Sequence, residues 1–111
     1  MSHNETEMIK VVHDVGKTQF FCDIEGYRCF VEYEITEEGM IDIQHTMVNE
    51  NLRGRGIAAV LLKEVSAFAQ REGRKVIPTC SYAAKFYEKS REYAPIIVNE
   101  VAEGKIASSQ P

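Results

Sequence analysis

Between Asn49 and Leu62 the chain reads NENLRGRGIAAVLL, and Arg53-Gly54-Arg55-Gly56 stands directly ahead of an apolar run with helical spacing. Those residue types suit the capture of an anion. A helix begins with backbone N–H groups that lack partners, and its dipole leaves about half a positive charge at that end. Glycines ahead of the helix let an anion approach the amides without meeting a β-carbon, and arginines beside it add charge-assisted hydrogen bonds. The plainer alternative is a tight turn needing positive φ, which an isolated G-x-G serves equally well. Two phosphate ligands are excluded by context. Gly54-Arg55-Gly56-Ile57-Ala58-Ala59 matches G-x-G-x-x-A, but a dinucleotide site needs an acid about 20 residues later, and Lys75 to Cys80 holds none. The Gly-Lys-Ser/Thr of a P-loop is absent as well.

Three cysteines, Cys22, Cys29 and Cys80, are odd in number and form no C-x-x-C pair, which argues against a disulfide framework and a zinc site. No metal site is expected. Cys22 and Cys29 fall in strand-like stretches and read as packed thiols. Cys80 precedes a helix starting near Ser81, where unpartnered amides can favour a reactive thiolate. His45 lies in an apolar strand pattern. It is either a core residue with a satisfied ring or a base or orienting group, histidine being the side chain that exchanges protons near neutral pH.

The elements that must position these groups follow from periodicity. Ile9 to His13 and Thr18 to Ile24 read as short strands with Asp14 to Lys17 turning between them. Tyr27, Cys29, Val31, Tyr33 and Ile35 alternate with Arg28, Glu32, Glu34 and Thr36, the period-2 pattern of a half-buried strand, entered through Glu25-Gly26. Glu37-Glu38-Gly39 turns the chain into a fourth strand, Met40 to Val48, with Ile41, Ile43, His45 and Met47 on one face. Ile57, Leu61, Val65 and Phe68 then recur at helical spacing until Gly73. Val76 and Ile77 form a fifth strand cut off by Pro78, and Ser81 to about Arg91 forms a second helix with Ser81 as N-cap. Ile96 to Val98 is a candidate last edge. Four hairpin-linked strands, a helix, a strand and a helix imply an α+β fold. Its sheet is mostly antiparallel but mixed, with five to six strands, the fifth laid in parallel and two main helices covering it.

A chain of 111 residues with 44% apolar content suits one domain, expected over residues 8–99 between loose ends at 1–7 and 100–111. No apolar run approaches the ~18 residues of a membrane span, and the start lacks the order of a signal peptide, so a cytoplasmic address without membrane contact is expected. Net charge is −4, unevenly spread. Residues 1–50 hold three Lys/Arg against eleven Asp/Glu, and residues 51–111 hold ten against six, or −8 and +4. Most of that surface repels nucleic acid, which is not expected as a partner. A small anion is still drawn to the second half, where Arg53, Arg55, Arg71, Arg74 and Lys75 lie near the ends of one helix.

Arg53-Gly54-Arg55-Gly56-Ile57-Ala58 also resembles the R/Q-x-x-G-x-G/A motif of the GCN5-related N-acetyltransferases, with Arg53, Gly56 and Ala58 at the defining positions. HTMVNENLRGRGIA followed by KVIPTCSY is similar to the very small, YjdJ-like branch of that family, and the resemblance covers about residues 8 to 97. It implies a minimal GNAT-like fold and an acetyl-CoA-dependent acetyltransferase acting on an unknown amine. A CoA- or acyl-CoA-binding module without turnover is the rival. It further implies that Arg53, Gly54, Arg55, Gly56, Ile57 and Ala58 cradle the diphosphate of coenzyme A. Thr46, Met47 and Val48 would offer backbone groups to the pantetheine arm, with Cys80 and Ser81 closing the site. His45, Thr46, Thr79 and Cys80 are thereby placed near the thioester, with Cys80 and His45 as catalytic candidates. AAKFYEK resembles a family segment whose tyrosine protonates the departing thiolate, which makes Tyr87 a third candidate, although its neighbours suit it equally to the core. Larger relatives insert helices between the first two strands. Here only Asp14 to Lys17 intervene, so the acceptor side is expected to be open, and a cationic acceptor would be attracted by the acidic first half.

Overall fold

The computed structural model describes residues 9–98. Segments 1–7 and 100–111, expected to be loose, lie outside the described residues. Strands β1 (Val12–Asp14), β2 (Gln19–Ile24), β3 (Tyr27–Ile35) and β4 (Ile41–Met47) are followed by helix α1 (Ile57–Glu72), strand β5 (Val76–Pro78) and helix α2 (Ser81–Lys89). The sheet runs β1-β2-β3-β4-β5, antiparallel except for the β4–β5 pair, which is parallel. That is the mixed α+β architecture expected, with five strands among the described residues. The candidate sixth at Ile96 to Val98 is reduced to a single parallel bridge from Ile97 to Val76.

The alternating pattern decides which face is buried. Phe20 and Cys22 of β2, Cys29, Val31 and Tyr33 of β3, and Ile41 and Ile43 of β4 form one apolar face. Leu61, Leu62, Val65 and Ala69 of α1 pack against it, and Ala83 and Tyr87 of α2 complete the same core. Cys22 and Cys29 face each other across β2 and β3 as free, buried thiols, and burial pushes the Cys22 thiol up to about 11. Both are packed in the core.

Several boundaries differ from the sequence expectation. β1 begins only at Val12, because Ile9 and Val11 pack on the core from outside the sheet, and Val15–Lys17 closes a 3-10 turn in which Asp14 accepts from the Lys17 amide. Pro78 is the last residue of β5 rather than the residue that excludes it, consistent with an edge position that needs no donor. α2 stops at Lys89, and Arg91–Ile96 winds as a separate 3-10 turn. The N-cap of α2 is Cys80, not Ser81: the Cys80 Sγ accepts from the Ala83 amide at 3.3 Å.

The largest correction concerns β4. Its register to β3 shifts between Glu32 and Tyr33, where Glu32 pairs with His45 but Tyr33 pairs with Ile43. Gln44 is thus an extra residue, a β-bulge that reverses which side chains face the core. Beyond it Thr46 lies opposite buried Val31, while His45 and Met47 turn to the outer face. The single face of Ile41, Ile43, His45 and Met47 does not exist.

Candidate functional site

β4 and β5 pair only from Ile41 to Ile43 and Val76 to Pro78. Past that point the bulge turns β4 aside and β5 ends, so the strands part. The last link across the gap is the Cys80 amide, which donates to the Ile43 carbonyl at 3.0 Å. Thr46 Oγ1 and Cys80 Sγ then meet at 3.3 Å. A cysteine at this N-cap accepts from a helix amide and touches a hydroxyl, so two polar groups converge on its sulfur.

A cavity of about 470 Å³ opens between the start of α1 and the outer side of α2. At its α1 end, Gly56 is the N-cap in the left-handed region (φ 74°), no side chain caps the helix, and no acid occupies its first turn. The first-turn amides of Ile57, Ala58 and Ala59 point from this uncapped end, and the side chains of all three residues line the cavity. Gly54 also has positive φ (83°), and a β-carbon there would meet nothing within 4 Å. Both glycines satisfy the turn through positive φ, and at Gly54 the space a β-carbon would take is open.

Charge in the cavity has one sign. Arg53, Lys85 and Lys89 line it and no acidic residue does. Val48, Leu52, Ile57, Tyr82 and Phe86 supply apolar wall. An anionic head joined to a slender, partly apolar arm fits that combination, as the diphosphate and pantetheine of coenzyme A do. Arg55, expected beside Arg53, turns the other way: its Nη2 donates to Glu25 in the β2–β3 hairpin at 2.8 Å and holds that carboxyl below the usual carboxylate range. It braces the loop from outside. Asn51 does likewise, donating to the Tyr27 hydroxyl at 2.9 Å.

Among the residues named from sequence, Val48, Arg53, Gly54, Gly56, Ile57, Ala58 and Ser81 line this cavity. Thr46 and Cys80 meet at the strand gap. Met47 is 51% exposed on the outer sheet face opposite Phe30, and its side chain is not part of the cavity wall. His45 is exposed on that same outer face opposite Glu32, away from the sheet face that carries half-buried Thr46. Tyr87 is buried against α1: its hydroxyl lies 2.7 Å from Ser66 Oγ and 3.5 Å from the Leu62 carbonyl. Burial pushes it up to about 12. The geometry thus gives Tyr87 a packing role between the helices.

Sequence reasoning missed Leu52, Ala59, Tyr82, Lys85, Phe86 and Lys89. The signal was present for the two lysines. Ser81, Lys85 and Lys89 recur every four residues, which puts them on one face of α2, beside and not within the core stripe of Ala83 and Tyr87.

Among the described residues no group of three or more His, Cys, Asp or Glu could hold a metal ion, and no helix is long and apolar enough to cross a membrane. Residues 19–96 match the family model described as GCN5-related N-acetyl-transferase. The protein NATD1 of Xenopus tropicalis is 34% identical over 91 residues, covering 80% of this chain and 84% of the relative. NATD1 of Homo sapiens is 36% identical over 84 residues, covering 74% of each. A solution structure of a GCN5-like protein from Staphylococcus aureus superimposes with a TM-score of 0.67 at 26% identity, covering 80% of this chain and 87% of the other.

Proposed function

The chain belongs to the GCN5-related N-acetyltransferase family, and from that premise we propose that it moves an acetyl group from acetyl-CoA to an amine. The observation that carries this reading is the uncapped start of α1 facing a cavity with three cations and no acid. Acetyl-CoA would supply an activated acyl group in a thioester. This chain's residues would do the rest. Arg53, Lys85 and Lys89 hold the diphosphate with the first-turn amides of α1, and Val48, Leu52 and Phe86 shield the arm from water. Cys80 and Thr46 stand where the strands part, and Cys80 is the group we assign to the reacting centre. His45, on the outer face, and Tyr87, packed on α1, are left out of that assignment. The HTMV and PTC segments support a place in the small YjdJ-like branch. The unbridged pair Cys22 and Cys29 supports a reducing, cytoplasmic setting.

The cradle is tested by Arg53→Glu. Replacing a cation by an anion at the diphosphate should weaken CoA by at least ~1 to 3 kcal/mol through lost charge-assisted hydrogen bonds, as read by titration calorimetry. An unchanged affinity defeats the assignment. The second reading, a CoA-binding module without turnover, is favoured by one feature: β1 and β2 are joined by the single turn Val15–Lys17, so no helix walls an acceptor there. Absence of CoA release with a broad amine panel, alongside intact CoA binding, would select it.

A further inference from the structure

Glu25 and Gly26 form the two-residue turn between β2 and β3, closed by the pairing of Ile24 with Tyr27. Both have positive φ, 53° and 85°. A turn of that kind needs the left-handed region at both positions, which asparagine, aspartate and glycine enter readily and a longer side chain does not. Among the described residues only Thr18 shares with Glu25 a positive φ without being glycine. A residue held against its backbone preference points to a use for its side chain.

That use lies across the hairpin tip. The Glu25 carboxylate accepts from Arg55 Nη2 at 2.8 Å, 30 residues away in the loop ahead of α1. The neighbouring Tyr27 hydroxyl accepts from Asn51 Nδ2 at 2.9 Å in the same loop. Tyr27 itself packs on the core, so the tip is anchored. Arg53 lies between the two held residues and lines the cavity instead. The loop is thus gripped on either side of Arg53, which is left to face the cavity beside the uncapped start of α1. The Glu25 side chain is 59% exposed, and an ion pair so exposed adds little to fold stability. Stability alone does not account for a strained turn residue making it.

Resting on the acetyltransferase reading above, we infer that Glu25 is a positioning residue for the coenzyme A cradle. It does not line the cavity itself. Through Arg55 it fixes the path of the chain from Leu52 to Gly56, so that Arg53 and the first-turn amides of α1 are aimed at the diphosphate before it arrives. A loop already set in place loses less freedom when the anion binds, and the difference appears as affinity.

Glu25→Asn separates this role from a structural one. It installs Asn-Gly, the favoured pair for such a turn, and removes the carboxylate that reaches Arg55. The denaturant midpoint should hold or rise. CoA affinity of the full chain, read by calorimetry, should fall about two- to five-fold, the range an exposed ion pair allows. NMR order parameters of the Gly54 to Gly56 amides, measured without ligand, should fall as well. The double variant Glu25→Asn with Arg55→Gln should bind CoA no worse than Arg55→Gln alone, because the two side chains act as one unit. Unchanged affinity in Glu25→Asn, additive losses in the double variant, or a midpoint that falls in step with affinity overturns the assignment. The ligand-free order parameters keep the two ideas apart. CoA that fails to bind the parent removes the cradle, whereas loop amides that stay rigid in Glu25→Asn remove the role of Glu25 and leave the cradle standing.

Discussion

Cys80 carries two duties that one substitution can separate. Its sulfur accepts from the Ala83 amide, so it starts α2, and it touches Thr46 Oγ1 at the gap between β4 and β5. Serine preserves an N-cap acceptor and removes only the thiol. Cys80→Ser should therefore change stability by no more than about 1 kcal/mol. CoA affinity should hold, because Cys80 does not line the cavity proposed to take CoA. Release of free CoA from acetyl-CoA in the presence of an amine should fall sharply. A serine variant that turns over like the parent removes Cys80 from the reacting centre. The residue scale is also where sequence was least able to assign roles. Arg53 and Arg55 are two residues apart in one motif, yet one faces the cavity and the other pairs with Glu25 from a hairpin 30 residues earlier. Nothing local distinguishes them, since the partner that claims Arg55 is brought in by the β2–β3 turn.

At the scale of elements, the loop ahead of α1 makes the sharpest claim. Gly54 has φ 83°, and a β-carbon there would touch nothing. Gly73, the C-cap at the far end of the same helix, has φ 69° and the same open surroundings. Alanine at either site meets the same left-handed backbone penalty of roughly 1–2 kcal/mol. Gly54→Ala and Gly73→Ala should thus lower the denaturant midpoint by similar amounts. Only Gly54→Ala should also weaken CoA, because only there does a methyl group stand between ligand and amides. Equal CoA affinity in both variants would make the glycine loop a turn and nothing more. The long periodic elements, β3 and α1, were readable because each repeats its apolar period over several turns or pleats against a single core. β4 was not. A bulge adds one residue without changing composition, and Gln44 inverts every side chain after it. That inversion removed His45 from the core face and brought Thr46 to Cys80. The start of α2 slipped by one residue for a similar reason: serine is the better N-cap by preference, but the chain is already tied at Cys80, whose backbone N–H donates a hydrogen bond to the Ile43 carbonyl.

For the whole molecule, the cations that the sequence grouped near the ends of one helix are dispersed by the fold. The positive second half does supply the cavity, yet through Arg53 together with Lys85 and Lys89. Arg74 instead donates to the Gly39 carbonyl at 2.7 Å, and Arg71 acts on His13. Which helix faces which is a tertiary fact that no one-dimensional window contains. The same packing predicts how the fold responds to acid. His13 is stacked on Phe20 with ring centroids 3.9 Å apart, set edge-on to Phe68 at 4.5 Å, and bonded to the Tyr33 hydroxyl at 2.6 Å. It thereby joins the edge strand β1 to the core beneath α1. Burial lowers its pKa below the ordinary value, the Arg71 charge lowers it further, and Asp14 opposes them. The folded state therefore prefers neutral imidazole more strongly than the unfolded chain, whose histidine titrates near ~6.5. The sign follows from linkage: the contribution is fully present above about pH 6.5 and is lost as pH falls toward the folded value, because the unfolded chain binds the proton first. Stability measured by denaturant midpoint should decline from pH 7 to pH 5. His13→Phe keeps the aromatic stack but cannot take up a proton, so it should be less stable at pH 7 for want of the Tyr33 bond and show a shallower decline. An identical slope in the variant would place the acid sensitivity elsewhere.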